Sequence, residues 1–472
     1  MKALYLIVRL GAVFTISSFL QLPQLQAQVV SSATIRAEAG PNLNQARMNH
    51  VAATLPGGRL VVFGGHGPGF VTLSTAERFA VGAASFTTEP MPIGNDAPGV
   101  FAKLKDGRYL IGGGSASYGI PQYADCAIYD AETETFATTG SMVRFRALAG
   151  SAALSDGKVL VAGAWWVHND AHTYGELYDP LTGTFSATGP LNQPRAWPFV
   201  IPTPDGRAIV VGGIGITGSA IPPTPELYDP QANTFTKVSD DIFPEEPGWS
   251  VASRQSPVDD CRMSDGRYLL VGSRSVEGVT TYRLIVFDPV SRTFSKLATT
   301  PDLPDSRTMN WWPAVLNESR TKAYIPGYTA ESPYLLNVAR VDLQTGNLDM
   351  PAAPAPMPAN YSLYGATFSL LTEQTMIITG GTSGDNFSAV PNTILLQTTW
   401  SSPQPELSIA MYAGVSLSGE VGTSYRIEFV TDTASTNWVT LTNLTLTSTP
   451  YLYFDPASSK SAVRFYRAVR TP

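Results

Sequence analysis

The chain has 472 residues, of which 43% are hydrophobic and only 15% charged, with 41 glycines and 37 prolines. This length exceeds what one ordinary core serves, so two domains or one large repeat array is expected, and the glycine and proline content favours many short strands over long helices. The formal net charge of −7 argues against nucleic acid or an anionic membrane surface as a partner.

Residues 1–27 have the pattern of a secretory signal peptide. Lys2 and Arg9 flank the start of the apolar stretch LGAVFTISSFLQL, and Ala27 stands at a cleavage position. The apolar run is short for a membrane span and is interrupted by serine, so removal is favoured over a retained anchor. We therefore expect an exported protein, either secreted, periplasmic or at the cell surface, with no integral membrane span once the peptide is removed.

A motif of about 50 residues recurs seven times between Arg47 and Trp400. Two copies read RFRALAGSAALSDGKVLVAGA…GELYDPLTGTF and RAWPFVIPTPDGRAIVVGG…PELYDPQANTF. Each copy offers an Arg, an apolar run, a turn with glycine, a second apolar run ending in glycine, and two further aromatic positions. Asp-Gly between apolar runs indicates a hairpin with a two-residue turn, so each unit is expected to form four short strands.

Units of this length and strand number stack radially into a β-propeller. The predicted fold class is therefore all-β, with a seven-bladed propeller over residues 28–400. The seventh unit lacks the aromatic–Asp pair, and ATIRAEAGPNLNQAR from Ala33 mirrors TFSATGPLNQPR from Thr184, so an N-terminal strand is expected to close the ring. Residues 401–406 are predicted to be a linker, and residues 407–472 a small β-sandwich.

The paired glycines, the ELYDP-like aromatic and the opening Arg resemble kelch repeats over residues 34–400. The C-terminal region is similar to fibronectin-like or immunoglobulin-like modules. The kelch resemblance brings in galactose oxidase, in which copper is held by two tyrosines and two histidines, with one tyrosine joined to a cysteine and one histidine supplied by a C-terminal domain.

This chain departs from that pattern. No histidine follows His172, and Cys126 lies on a predicted third strand. A copper oxidase of this type is therefore disfavoured, and no cofactor or metal is expected. His168 and His172 remain a pair that could bind a softer metal, although no third ligand is in view.

Unusual residues collect on one predicted face of the ring, because the start of each first strand and the end of each second strand lie together in an antiparallel meander. Flat aromatic rings beside Arg and His donors suit a sugar or a polar peptide, whereas packing between blades is the alternative use of each residue taken singly. The predicted ligand-binding residues are Arg47, His50, His66, Arg144, Trp165, Trp166, His168, His172, Arg195, Trp197, Trp249, Arg254, Arg307, Trp311 and Trp312.

The main functional prediction is a secreted, monomeric and non-enzymatic recognition protein that binds a carbohydrate or protein ligand at this face. The alternative is a carbohydrate-active enzyme, either a galactose oxidase-like oxidase or a sugar acid epimerase, acting at the channel mouth with His50, His66 and nearby arginines. A structural envelope component without a saturable ligand is a third reading. No Ser-His-Asp or sialidase-like pattern is visible, and fold alone does not decide among these readings.

Overall fold

The computed structural model describes residues 33–115, 122–165, 173–215, 224–251, 258–297, 300–307, 309–329, 334–357, 361–383, 388–400, 413–432, 437–455 and 464–471. The predicted signal peptide and linker lie outside these ranges. Internal contacts divide the chain into two compact units, one of Val29–Ser402 and one containing Pro403–Pro472. Within the described ranges no helix is long and apolar enough to cross a membrane.

The larger unit is built from antiparallel sheets, which we number in chain order, and the described residues form seven of them with four or more strands. Sheet 1 contains Val51–Leu55, Arg59–Phe63, Thr75–Ala80 and Thr87–Pro90. Sheet 2 contains Val100–Lys103, Tyr109–Ser115, Gln122–Asp130 and Thr135–Thr139. Sheet 3 contains Gly150–Ala153, Val159–Ala162, Tyr174–Asp179 and Thr184–Pro190. Sheet 4 contains Phe199–Pro202, Ala208–Val211, Glu226–Asp229 and Thr234–Lys237.

The remaining sheets are less regular. Sheet 5 contains Ser250–Val251, Tyr268–Val276, Val279–Asp288 and Thr293–Lys296, after a 3₁₀ turn at Val258–Cys261. Sheet 6 contains Asn310–Trp311, Val315–Leu316, Lys322–Tyr328, Leu335–Asp342, Leu348–Asp349 and Ala355–Pro356. Sheet 7 contains Thr367–Leu370, Thr375–Thr379, Thr393–Thr399 and, from the other end of the chain, Thr34–Ala39. Short pairs join Arg195–Ala196 to Ile214–Gly215 and Tyr361–Ser362 to Thr382–Ser383, and a second 3₁₀ turn spans Pro68–Phe70.

The aromatic and Asp signature of the repeat has two separate structural roles. In sheet 2, Tyr129 lies directly opposite Phe136 on the next strand, with ring centroids 4.8 Å apart. The Asp130 carboxylate then accepts hydrogen bonds from the backbone N–H groups of Glu132 and Thr133. The aromatic pair therefore fills the core, and the carboxylate shapes the turn that follows it.

The glycine turns are hairpins, but the predicted two-residue form is wrong. In sheet 2 the Leu104 N–H donates to the Arg108 carbonyl at 2.7 Å, and the Gly107 N–H donates to the Leu104 carbonyl at 3.0 Å. Three residues thus form the loop, and Gly107 has φ +89°. A type I turn followed by a left-handed glycine also matches the twist of the flanking strands, so Asp-Gly is compatible with this longer loop.

The core lies between consecutive sheets. Phe63 of sheet 1 packs against Phe101 and Tyr129 of sheet 2, and similar apolar clusters join the later neighbours. Leu60 of sheet 1 also shares a cluster with Ile377 of sheet 7. Because each sheet has an apolar neighbour on both faces, its strands are hydrophobic on both sides, which explains continuous buried runs such as that of Val159–Ala162.

The smaller unit has two antiparallel sheets. One pairs Ala413–Leu417 with Tyr451–Asp455, and in the other Ser424–Val430 lies between Val439–Thr445 and Phe465–Arg470. Ile427, Val430 and Leu446 are buried in this unit. The prediction of an all-β chain is confirmed.

Candidate functional site

Three of the arginines near the start of repeat units are internal structural groups. Arg47, Arg146 and Arg195 have no exposed side-chain surface, and each forms an ion pair with an equally buried glutamate, namely Glu77, Glu176 and Glu226 respectively. Burial lowers the pKa of Arg47 and of Arg195, and the paired carboxylate opposes this shift. Arg47 and Arg195 were predicted from the sequence to bind a ligand. The structure shows that they bind carboxylates of the protein itself.

Each of these buried Arg–Glu pairs is called a clamp below, and the pair of Arg195 and Glu226 shows what a clamp stabilises. The Glu226 carboxylate accepts the backbone N–H groups of Asn192 at 2.7 Å and Gln193 at 3.1 Å, in addition to the Arg195 guanidinium at 2.5 Å. Arg195 also donates to the Thr224 carbonyl at 2.8 Å. A single carboxylate thus fixes the chain segment that enters the sheet, and every donor around it is satisfied.

Sheet 2 lacks this clamp and carries different chemistry in its place. Asn95 occupies the position of the opening Arg, and Ala127 occupies the position of the glutamate. The next residue, Asp96, is only 1% exposed, and its carboxylate lies 2.8 Å from Nδ1 of His66 on the segment following the second strand of sheet 1. Burial raises the pKa of Asp96, although the hydrogen bond to His66 opposes the rise.

The hydrogen bond assigns the tautomer of His66. With Asp96 as a carboxylate acceptor, Nδ1 of the neutral ring carries the proton and Nε2 keeps its lone pair. Nε2 is buried and has no hydrogen-bond partner among the described residues, and an unsatisfied buried polar atom costs about 1–3 kcal/mol. A histidine oriented by a carboxylate, with its second nitrogen free, is the arrangement of a general base or of a metal ligand.

A line of backbone hydrogen bonds runs beside this dyad from sheet to sheet. The donor and acceptor pairs are Asn49 N to Gly365 O (2.8 Å), Ala97 N to Asn49 O (2.9 Å), Leu148 N to Ala97 O (3.2 Å) and Trp197 N to Leu148 O (2.9 Å). All five residues have positive φ, and four of them are not glycine. Such strained conformations persist only where the surrounding structure imposes them, and they are concentrated at functional sites.

An aromatic surface adjoins this line. The rings of Trp165 and Trp197 stack with centroids 5.7 Å apart, and both pack against the small cluster of Ala97, Ala147 and Leu148. Since Ala97 directly follows Asp96, the dyad and the two indoles belong to one region of the larger unit. Of the predicted residues, the structure brings together His66, Trp165 and Trp197.

Other predicted residues serve the core. His50 is fully buried, and its Nε2 lies 3.0 Å from the hydroxyls of Thr367 and Thr379, where burial above all holds its pKa well below the ordinary 6.5. Trp311 and Trp312 are 6% and 5% exposed and pack in sheet 6. These positions offer little surface to a ligand.

The remaining predicted residues differ in their surroundings: one is buried, two are at least partly exposed, and the others lie outside the described residues. Trp249 is buried beneath the Arg283 guanidinium, which lies 4.3 Å from its ring and binds Glu246 of the acidic segment before sheet 5. The Arg144 guanidinium lies 4.8 Å from the Tyr174 ring, and Arg307 is exposed and paired with Asp305. The predicted residues that lie outside the described ranges are Trp166, His168, His172 and Arg254.

Asp96 was missed by sequence reasoning. The sequence did contain a signal, because unit two loses its opening Arg and the corresponding glutamate together, at Asn95 and Ala127. When the Arg and the Glu of a clamp are both absent, the structural constraint at the start of that repeat unit is absent too. Asp96 directly follows Asn95, which occupies the position of the missing Arg. Its approach to His66, 30 residues earlier, is a tertiary contact that only the packing of sheets 1 and 2 brings about.

The described residues do not fit the copper centre of galactose oxidase. His50 already uses Nε2 for two threonine hydroxyls, and the buried Cys126 thiol donates to the Ala124 carbonyl at 3.4 Å. Burial raises the pKa of this thiol, which disfavours a thiolate. Across the described ranges no three His, Cys, Asp or Glu side chains gather where they could hold a metal ion.

No protein-family profile and no curated protein matches this chain. Among solved structures it is similar to a fungal alcohol oxidase of the AA5 family in complex with copper, at 15% sequence identity and a TM-score of 0.52, over 92% of this chain and 93% of that one. This likeness confirms the expected resemblance to galactose oxidase at the level of the all-β fold.

The prediction of a non-enzymatic recognition protein is wrong. A solved structure that shares the fold is an alcohol oxidase, and this finding favours the enzymatic alternative. The geometry gives a physical reason, since Arg47, Arg195 and three of the tryptophans on which recognition was to depend, namely Trp249, Trp311 and Trp312, are buried in the protein's own contacts. The kelch assignment, the seven-bladed ring and the export of the chain remain predictions.

Proposed function

We propose that the larger unit is a seven-bladed kelch-like propeller closed by its N-terminal strand. The proposal is supported by seven sheets that each pack on the next, by the apolar cluster between sheets 7 and 1, and by the pairing of Thr34–Ala39 with Thr393–Thr399. Residues 1–27 would be removed on export, and 407–472 would be a β-sandwich module of a monomeric, secreted or cell-surface protein.

We propose further that the chain is an enzyme acting on a carbohydrate or related hydroxylated substrate, with His66 as its general base. The observation that carries this proposal is the buried His66–Asp96 dyad, whose Nε2 has no hydrogen-bond partner among the residues that the structure describes. It lies in the one described unit among the first four that has lost its Arg–Glu clamp. The fold likeness to an alcohol oxidase supports an enzyme over a binding protein.

The dyad supplies one proton transfer. Nε2 of His66 accepts a proton from a substrate O–H, or from a C–H next to a carboxylate, and Asp96 stabilises the imidazolium through Nδ1. In epimerisation a water molecule on the opposite face supplies a proton to the same carbon, and His66 gives the proton it accepted back to solvent, so no other reactant is consumed. Oxidation of an alcohol needs an electron acceptor as well, and the described side chains do not form the copper centre that would serve in galactose oxidase.

The test is a substrate panel of neutral sugars, sugar acids and simple alcohols, read by oxygen uptake and by deuterium incorporation from D₂O. Asp96→Asn should lower kcat/KM by about 10²–10⁴-fold, because the amide no longer holds the productive tautomer. Asp125→Asn is the matched control, since this exposed carboxylate on the same sheet binds only Ser141 in the described structure. Full activity of Asp96→Asn, or no turnover of any hydroxylated compound, would refute the proposal.

A further inference from the structure

The ring of Phe70 packs against the imidazole of His66 in the dyad. Its ring centroid lies 5.2 Å from that of His66 at an interplanar angle of 39°. His66 is only 3% exposed, whereas Phe70 itself is 53% exposed. A large apolar side chain thus meets solvent with part of its surface and lies against an imidazole whose Nε2 is buried.

The backbone that holds Phe70 is strained. Phe70 has φ +61°, a conformation that bulky side chains rarely adopt. It lies at the end of the 3₁₀ turn Pro68–Phe70, next to Gly69 with φ +72°. Positive φ at a bulky residue persists only where the surrounding structure imposes it, and it is concentrated at ligand clamps and switch regions.

Few contacts hold the tip of this turn. The Phe70 N–H donates to the Gly67 carbonyl at 3.1 Å, and the Gly67 N–H donates to the Val71 carbonyl at 2.9 Å. Nothing within 4 Å would meet a Cβ added at Gly69, so the tip has open space beside it. The base of the turn is firmer, since His66 pairs with Met48 and with Thr72.

We propose that Phe70 is a gate over His66: the ring shields Nε2 from water in the resting protein and swings aside to admit substrate. This inference rests on the proposed function for its catalytic meaning, but its physical content is the accessibility of one nitrogen atom. A hydrophobic cover of this kind excludes water from the base between turnovers and makes opening part of substrate admission.

The test measures the accessibility of His66 directly, with no need for a substrate. The full-length protein is treated with diethyl pyrocarbonate, and carbethoxylation of each histidine is followed by mass spectrometry of its peptide. Phe70→Gly should accelerate labelling of His66 about tenfold or more, because it removes the cover and leaves a residue that accepts positive φ. Phe70→Leu keeps a smaller apolar side chain over the ring. Its rate of His66 labelling should lie between the rates of the wild type and of Phe70→Gly.

Two controls separate gating from general loosening. Val71→Ala changes the neighbouring residue, which is 62% exposed, and should leave His66 labelling at the wild-type rate. The buried His50 should stay unlabelled in every variant. Unchanged His66 labelling in Phe70→Gly, or equal acceleration at His50, would overturn the gate. Loss of the proposed function would appear differently, as full activity in Asp96→Asn with the labelling result intact.

Discussion

Replacing Glu226 and then Arg195 by methionine should have opposite effects on stability. Glu226→Met leaves the Arg195 guanidinium buried without a counter-charge, and removing one partner of a buried ion pair costs about 3–5 kcal/mol. It also orphans the backbone N–H groups of Asn192 and Gln193, at about 1–3 kcal/mol each. Adding Arg195→Met removes the uncompensated charge but leaves the two backbone N–H groups without a partner. The free energy of unfolding of the double variant should therefore be about 3 kcal/mol higher than that of Glu226→Met.

The assay is equilibrium unfolding in urea, with wild type, both single variants and the double variant compared at constant m. The matched control is the same set at Asp265 and Arg267, an exposed pair with side chains 45% and 43% accessible, where the coupling should stay within about 1 kcal/mol. A double variant at Glu226 and Arg195 that is no more stable than Glu226→Met would refute the view that the unpaired guanidinium is the main cost.

Three further predictions concern single residues. Ala97→Gly should raise the free energy of unfolding by up to about 1 kcal/mol, the reverse of the usual effect, because Ala97 has φ +50°; a lower urea midpoint would contradict this. The pKa of His50 is lowered by burial, so the folded protein takes up fewer protons than the unfolded chain and loses stability as the pH falls below about 6.5; His50→Asn should flatten that slope in thermal unfolding between pH 7 and pH 5. Burial and then Asp259 raise the pKa of Asp260 to about 7, so the folded state loses stability as the pH rises from about 4 to about 7, and Asp260→Asn should raise Tm at pH 8 and change it little at pH 4.

The repeat was readable from sequence because it is periodic. Strand order, the hairpins and the aromatic pairs follow from local patterns that recur. A copy that is hard to interpret alone can be aligned with the clearer copies. The turn length was not readable in the same way, since Asp-Gly suits both a two-residue loop and a three-residue loop with a left-handed glycine.

The site was harder to predict, because a residue type does not reveal its exposure. Arg47, Trp311 and Trp312 have the chemistry of a binding surface, yet the sheets bury them. His66 was singled out by its type, whereas Asp96 was hidden in an irregular segment and gains its role only when sheets 1 and 2 pack. The sequence marks where the repeat breaks, but the partner across the break is a matter of tertiary packing.

The pairing of Thr34–Ala39 with Thr393–Thr399 also has a consequence for the order of folding. The hydroxyls of Thr34 and Thr399 meet although 365 positions separate them along the chain. Closing so long a loop costs only about 3 kcal/mol more than closing a ten-residue hairpin, so the final strand pair is affordable at equilibrium. Thr34–Ala39 is synthesised first, however, and its partner Thr393–Thr399 is made only after all the other strands of the larger unit. Sheet 7 therefore cannot close until the ribosome has passed Thr399, so the N-terminal strand has no partner strand while the other six sheets are being made.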